Sequence, residues 1–300
     1  MLHKWFIMNE TVTILRKYFD EKDIISIKNI LNEKQRGNII NDKYFAKVGK
    51  NTDKLFFNNL VKEINLYKSN QDNLLIPKYI DSYISNQYCL IVLEKINGKV
   101  LNTNRNDYNL HLSHKKRLDI SKCILNIKNI KLNYEFENSY NRKEKLDKYL
   151  EKSRRYISKS TYIKIDSLYS TLSKEPKRLV IAHGDLIPSN IIIYKNEIKF
   201  IDWEYISFMP ELYDLVYFLM FSKVNHSLDI IEDLNINNKE IYIDAVILSL
   251  KEIQNWAKLY EVIDNSIVNK NINRWKRELN YILKKIAWKK YNKDNLIKWI

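Results

Sequence analysis

The hydrophobic periodicity of this chain changes character once, at Gly98, and that change limits the architecture to a sheet-bearing N-terminal part followed by a mostly helical remainder. Residues 9–19 (NETVTILRKYF) carry apolar positions at helix-like spacing. Runs rich in β-branched residues at Ile24–Leu31, Asn38–Ile40 and Tyr44–Val48 predict three strands, with Gly37 and Asn41-Asp42 supplying turn chemistry. Residues 58–67 place Leu60, Ile64 and Tyr67 on one helical face, and Tyr79–Ile84 and Tyr88–Leu93 predict two further strands around Ser85-Asn86. The expected class is α+β. A five-stranded antiparallel sheet with one helix inserted after strand three occupies residues 1–97, and a larger, mainly helical region occupies 98–300. Helical patterns run over 114–130, 142–156, 161–173, 211–222, 239–260 and 272–290, and a strand–loop–strand unit interrupts them at 178–202.

Composition removes several alternatives. With 45% hydrophobic and 29% charged residues, the chain can bury a core. Its 4 glycines (Gly37, Gly49, Gly98 and Gly184) cannot spell GxGxxG or GxxxxGK[ST], so dinucleotide-binding and P-loop folds are excluded. Two cysteines are too few for a disulfide framework or a Cys-rich zinc site, and Cys89 reads as a buried thiol. His111 and His114 lack an HExxH context for metal. No apolar run is long enough to span a membrane, and MLHKWFIMNE has no signal-peptide pattern, so cytoplasmic is the default expectation.

The formal net charge of +15 is uneven: residues 101–180 hold 19 Lys and Arg against 9 Asp and Glu, whereas 205–300 hold 14 against 12. A basic stretch can serve nucleic acid. No RNP-like, zinc-finger or basic-zipper pattern accompanies it, and the whole chain is rich in Lys, Asn and Ile, so solvated surface lysine is the better reading.

The chemistry concentrates in residues 179–202, LVIAHGDLIPSNIIIYKNEIKFID. Two apolar strand-like runs hold polar residues at their mouths, where side chains are fixed firmly enough for catalysis. The spacing H-x-D-x4-N, with a second Asp twelve residues on, suits phosphoryl transfer. One carboxylate, Asp185, orients or deprotonates an acceptor hydroxyl. An amide oxygen, Asn190, and a second carboxylate, Asp202, are hard oxygen ligands for Mg²⁺.

AHGDLIPSN followed by FIDWEY resembles the aminoglycoside phosphotransferase / choline kinase family, whose fold is that of the protein kinases. HGD is similar to the aminoglycoside and homoserine kinase branches and IDWEY to bacterial choline kinases, so the motif mixes two substrate branches. The resemblance implies a bilobal, protein-kinase-like fold and an ATP-dependent, Mg²⁺-requiring kinase of a small-molecule hydroxyl, on a sugar, a choline-like amino alcohol or an aminoglycoside. It implies that Lys47, in YFAKV on the third expected strand, holds the nucleotide phosphates and that Glu63 on the following helix pairs with it. It also implies that the segment Leu93–Gly98, with Glu94 and Ile96, reads adenine through its backbone. The loop Asn32–Asn38 around Gly37 would cover the phosphates, and Asp214 would brace the catalytic loop.

Simpler roles suit several neighbours. His183 is expected to support the loop through the backbone rather than transfer protons, and Trp203 and Tyr205 to pack rather than stack on substrate. Glu204 either touches metal or substrate or caps a loop. Aromatic residues of the C-terminal third, such as Trp256, Trp275 and Tyr242, could cage a cation, but the charge balance fits a neutral or anionic acceptor better. Two other classes stay open: a kinase-like binding module without turnover, and a basic nucleic-acid-binding protein.

Overall fold

The computed structural model describes residues 10–103, 110, 112–132, 140–171, 176, 178–222, 227–236 and 240–296. The chain divides into two compact units: Met1–Thr103 with Asn126–Glu137 and Ile181–Ser207, and Asn104–Leu125 with Asn138–Val180 and Phe208–Ile300.

The first unit begins with a helical turn at 10–15, then α1 (Glu21–Glu33), β1 (Arg36–Ile40), β2 (Tyr44–Lys50), α2 (Lys54–Ser69), β3 (Tyr79–Ile84) and β4 (Tyr88–Glu94). The four strands form an antiparallel sheet in the order β1-β2-β4-β3, with Lys47 opposite Asn38 on one side and Ile91 on the other. Alternation sorts the faces. Ala46, Val48, Leu90 and Val92 pack with Ile24, Ile27 and Leu31 of α1. Lys47 points to the opposite face, where α2 lies. Cys89 is on that face too, its thiol 3.8 Å from the carbonyl oxygens of Gly49 and Phe57, and burial pushes it up to about 12. It is a packing residue.

The sheet has four strands rather than the five expected, because residues 24–31 are helical. Their loose alternation loses to a better helical pattern: Ile24, Ile27 and Leu31, spaced three and four apart, are all buried on one face. The Asp20 carboxylate caps the helix by accepting from the Asp23 N–H at 2.9 Å, and Glu21 and Asp23 complement the dipole of its first turn. Lys47 is consequently on the second strand and not the third. Gly37 is not in a loop either. It lies within β1, where an added Cβ would come 2.6 Å from Ile27 Cδ1 and 2.8 Å from Ile30 Cγ2. Its missing side chain lets α1 sit close on the sheet.

A smaller sheet completes this unit. β5 (Lys99–Val100), β7 (Ile191–Tyr194) and β8 (Glu197–Phe200) pair in the order β5-β7-β8, and β6 (Leu179–Ala182) leads into the loop that precedes β7. The β7–β8 hairpin turns on Lys195 and Asn196, both at positive φ, as a two-residue hairpin of this hand requires. Chain 203–205 forms a single 3₁₀ turn, and β9 (Ser207–Pro210) follows.

The second unit is helical: α3 (His114–Leu125), α4 (Arg142–Ser153), α5 (Lys159–Thr171), α6 (Tyr213–Ser222), α7 (Glu240–Ala257) and α8 (Asn265–Leu296). α6 is buried from Asp214, in its first turn, to Ser222. Thus an antiparallel-sheet N-terminal lobe is followed by a helical C-terminal lobe, the expected kinase-like class. Among the described residues no helix is long and apolar enough to cross a membrane.

Arg142 anchors α4 to α7 through a two-pronged contact with Asp244, Nε to Oδ1 at 3.1 Å and Nη2 to Oδ2 at 3.2 Å, and it reaches Glu240 at 3.4 Å. Burial raises the Asp244 carboxyl from 3.8 to about 6, against the opposing pull of Arg142. Between those two values the folded chain keeps a proton that the unfolded chain has released. This group's contribution to stability therefore falls as pH rises through that window. Asp244→Asn, which cannot ionise, should gain on the wild type between pH 4 and pH 7 by a few kcal/mol at most, at about 1.4 kcal/mol per pKa unit. Urea unfolding of both chains at the two pH values measures this, and an unchanged difference would contradict it.

Candidate active site

β2 and α2 bring together a cation and an acid that are sixteen residues apart. Lys47 Nζ donates to Glu63 Oε2 at 2.9 Å and to Oε1 at 3.1 Å, and it also donates to Asp202 Oδ1 at 2.5 Å. Lys47 and Glu63 side chains are 7% and 0% exposed, whereas Asp202 is 42% exposed, so the pair is embedded and Asp202 forms its open rim. Burial alone would lower the Lys47 pKa, but the carboxylates of Glu63 and Asp202 prevail and hold the ammonium above its ordinary value. Burial raises the Glu63 carboxyl, while Lys47 and the Trp203 N–H, 3.3 Å from Oε1, favour its charged form.

The other members lie in the loop between β6 and β7 and in the turn after β8. His183 is fully buried. Its Nε2 donates to the Ile201 carbonyl at 2.8 Å and its Nδ1 accepts from the Asp185 N–H at 3.4 Å, so the ring ties the loop to the segment before Asp202. The Asp185 carbonyl accepts from the Ile187 N–H and from Asn190 Nδ2, both at 2.8 Å. That second bond fixes the Asn190 amide with its nitrogen toward the loop and its oxygen away from it. The Asn190 carbonyl in turn accepts from the Ile201 N–H at 3.0 Å. Trp203 packs beneath, with ring centroids 4.6 Å from His183 and its indole N–H donating to the Phe200 carbonyl at 2.9 Å. Asp202 itself is left-handed, at φ 66°, a conformation that costs a non-glycine residue energy and that such sites hold by their surroundings.

Gly184 has φ +83°, and a Cβ there would fall 2.3 Å from the Tyr205 carbonyl oxygen. Since that obstacle is backbone, Gly184→Ala should push the loop from the 203–205 turn. The expected result is a loss of stability on the order of 1–3 kcal/mol, with loss of any activity that needs Asp185 and Asp202 in register. Chemical denaturation with a parallel assay checks it.

Lys47 is in direct contact with both Glu63 and Asp202, and Asp185 and Asn190 are joined to Asp202 through two hydrogen-bonded backbone segments. Glu94 and Ile96 are not part of this cluster. Glu94 ends β4 three residues beyond Ile91, the partner of Lys47, about 10 Å along the strand. Its N–H donates to the Lys78 carbonyl at 2.9 Å, as that of Lys95 does to Lys43 at 2.9 Å. One contributor has no sequence signal, the backbone N–H of Trp203, which a residue name cannot reveal. The carboxyl of Glu204, one of the residues singled out from the sequence, is raised by burial and then by Asp202. Among the described residues no group of three or more His, Cys, Asp or Glu could hold a metal ion. Asn190 and Asp202, the metal ligands expected from the sequence, both carry hard oxygen donors. That suits Mg²⁺, which keeps water and phosphate oxygens in its shell instead of a full protein cage.

The choline/ethanolamine kinase family model matches residues 76–286. A choline/ethanolamine kinase family protein from Mesorhizobium loti has a similar fold, with a TM-score of 0.56 at 13% identity over 84% of this chain and 90% of that one. Amicoumacin kinase hAmiN, solved with AMP-PNP, Ca²⁺ and Ami, gives a TM-score of 0.51 at 13% identity over 91% and 96%. At such identities these likenesses carry the fold alone. A comparison with curated proteins finds no match. The family match is broader than a motif: it opens just before β3, takes in the HGD loop and the IDWE turn, and closes inside α8. The protein belongs to the choline/ethanolamine kinase family.

Proposed function

We propose that the chain transfers the γ-phosphoryl group of ATP to an alcohol hydroxyl of a small molecule. The observation that carries this reading is the Lys47 ammonium, buried and kept charged between Glu63 and Asp202. A cation fixed in a dry site stabilises phosphate charge far better than one in water. Asp202 is the exposed partner, so it can leave Lys47 for a metal ion while Glu63 stays, and the lysine then turns one N–H to the nucleotide. Asn190 and Asp202 would hold Mg²⁺, which when bound neutralises phosphate charge. Asp185, on a loop tied by backbone bonds to the Asp202 segment, draws the proton of the acceptor hydroxyl as it approaches the phosphorus.

Glu94 and Ile96 would frame the adenine, at the far end of β4 from the phosphates. The family name points to choline and ethanolamine, and amicoumacin kinase to amicoumacin, as acceptors to try. Purified chain with ATP and Mg²⁺ should release ADP in proportion to one member of a panel of choline, ethanolamine, sugars and aminoglycosides. Absence both of acceptor-dependent ADP and of any nucleotide-dependent thermal shift would defeat the reading.

A further inference from the structure

The segment ahead of β1 cannot supply a glycine-rich amide cradle. Its one glycine, Gly37, is inside β1 and committed to α1 packing. The turn itself is pinned. The Lys34 N–H donates to the Ile30 carbonyl at 2.6 Å, the Lys50 N–H to Gln35 at 2.8 Å, and Lys50 Nζ to the Leu31 carbonyl at 2.5 Å. Phosphate oxygens beyond Lys47 therefore need another donor.

Register identifies one. Residues opposite each other in an antiparallel pair share a face. Arg36 stands opposite Gly49 and Asn38 opposite Lys47, so Arg36 emerges on the Lys47 face as its diagonal neighbour, about 7–8 Å away at the backbone and within reach of long side chains. Gly49 leaves the position across from Arg36 open, and the Phe56 ring fills it: a Cβ on Gly49 would lie 2.8 Å from Phe56 Cδ1 and Cε1. The Arg36 guanidinium rests over that same ring, 5.1 Å from its centroid. A cation on an aromatic face is oriented before ligand arrives. Direction along the sheet fits as well. Glu94 pairs with Tyr44, Lys47 lies three residues on and Gly49 two further, so Arg36 is beyond Lys47 on the side away from Glu94.

Building on the ATP reading above, we infer that Arg36, seated on Phe56, is a nucleotide-binding residue that takes the outer phosphates by paired N–H donation in place of a glycine-rich loop. A guanidinium suits this, since its planar fork matches phosphate oxygens two at a time.

Calorimetric titration with AMP-PNP and Mg²⁺, and with adenosine, tests it. Arg36→Ala should weaken AMP-PNP by about tenfold to a hundredfold, leave adenosine affinity unchanged, and leave melting unaltered because the side chain is exposed. Arg36→Lys should recover only part of the loss, and Phe56→Leu should show a smaller, AMP-PNP-selective weakening. Equal AMP-PNP affinity in wild type and Arg36→Ala, with Lys47→Met still weakened, would overturn the inference and leave the ATP reading standing. If adenosine weakens as much as AMP-PNP, Arg36 acts on the fold and the inference fails. If wild type binds no nucleotide, both fall.

Discussion

Asp185→Asn should bind ATP within a few-fold of wild type and transfer its phosphoryl group about 10²–10⁴-fold more slowly, the scale of acid–base assistance. The split arises because Asp185 does two separable things. Its backbone organises the loop: the carbonyl holds the Ile187 N–H and Asn190 Nδ2, and the N–H meets His183 Nδ1. Those atoms survive the substitution. Only the carboxylate charge is lost, and that charge is what an approaching hydroxyl requires. Single-turnover assays with saturating acceptor, alongside nucleotide titration, give the two numbers. Loss of nucleotide affinity equal to the loss of transfer would reassign Asp185 to metal binding or bracing, and undiminished transfer would move the reaction elsewhere.

The second large effect concerns Lys47→Met. Removing this cation leaves the Glu63 carboxylate, fully buried, facing Asp202 across a gap without charge compensation. Breaking a buried pair on one side costs about 3–5 kcal/mol, most of it the stranded charge. A large fall in melting temperature is expected, together with at least about tenfold weaker ATP binding. Glu63→Gln in the same chain removes the stranded charge, so the double variant should melt close to wild type yet still bind ATP poorly. The pairing of these outcomes separates a phosphate clamp from a fold-holding ion pair. If the double variant bound ATP normally, Lys47 would be structural alone.

The parts of this molecule legible in the sequence are those encoded by residue type at short range. HGDLIPSN sits between two short, largely apolar strands, LVIA and IIIY, and IDWE follows the alternating strand EIKF, so the local pattern places both at strand ends. The side of the sheet that Lys47 faces follows from alternation with Ala46 and Val48. Residues 24–31 were misleading for a physical reason. A short β-branched run satisfies strand and helix templates alike; burial of Ile24, Ile27 and Leu31 on one face favours the helix, and Asp20, a cap lying outside the run, starts it. Reading Gly37 as a turn failed similarly: close packing by Ile27 and Ile30 of α1, ten and seven residues earlier, is a tertiary demand that glycine meets without a turn. Glu63 is legible only through its partner, since a lone helix glutamate carries no sign that it will be buried.

The pinned turn ahead of β1 also bears on the time course of catalysis. Where a mobile loop folds over bound nucleotide, its opening often sets the turnover rate, and variants that change chemistry are partly hidden behind product release. Here three hydrogen bonds hold residues 34 and 35 and the end of α1, so closing that segment over a nucleotide would first have to break them. ADP would depart without waiting for it, and steady-state kcat would report the transfer step more directly than it does in an enzyme with a closing flap.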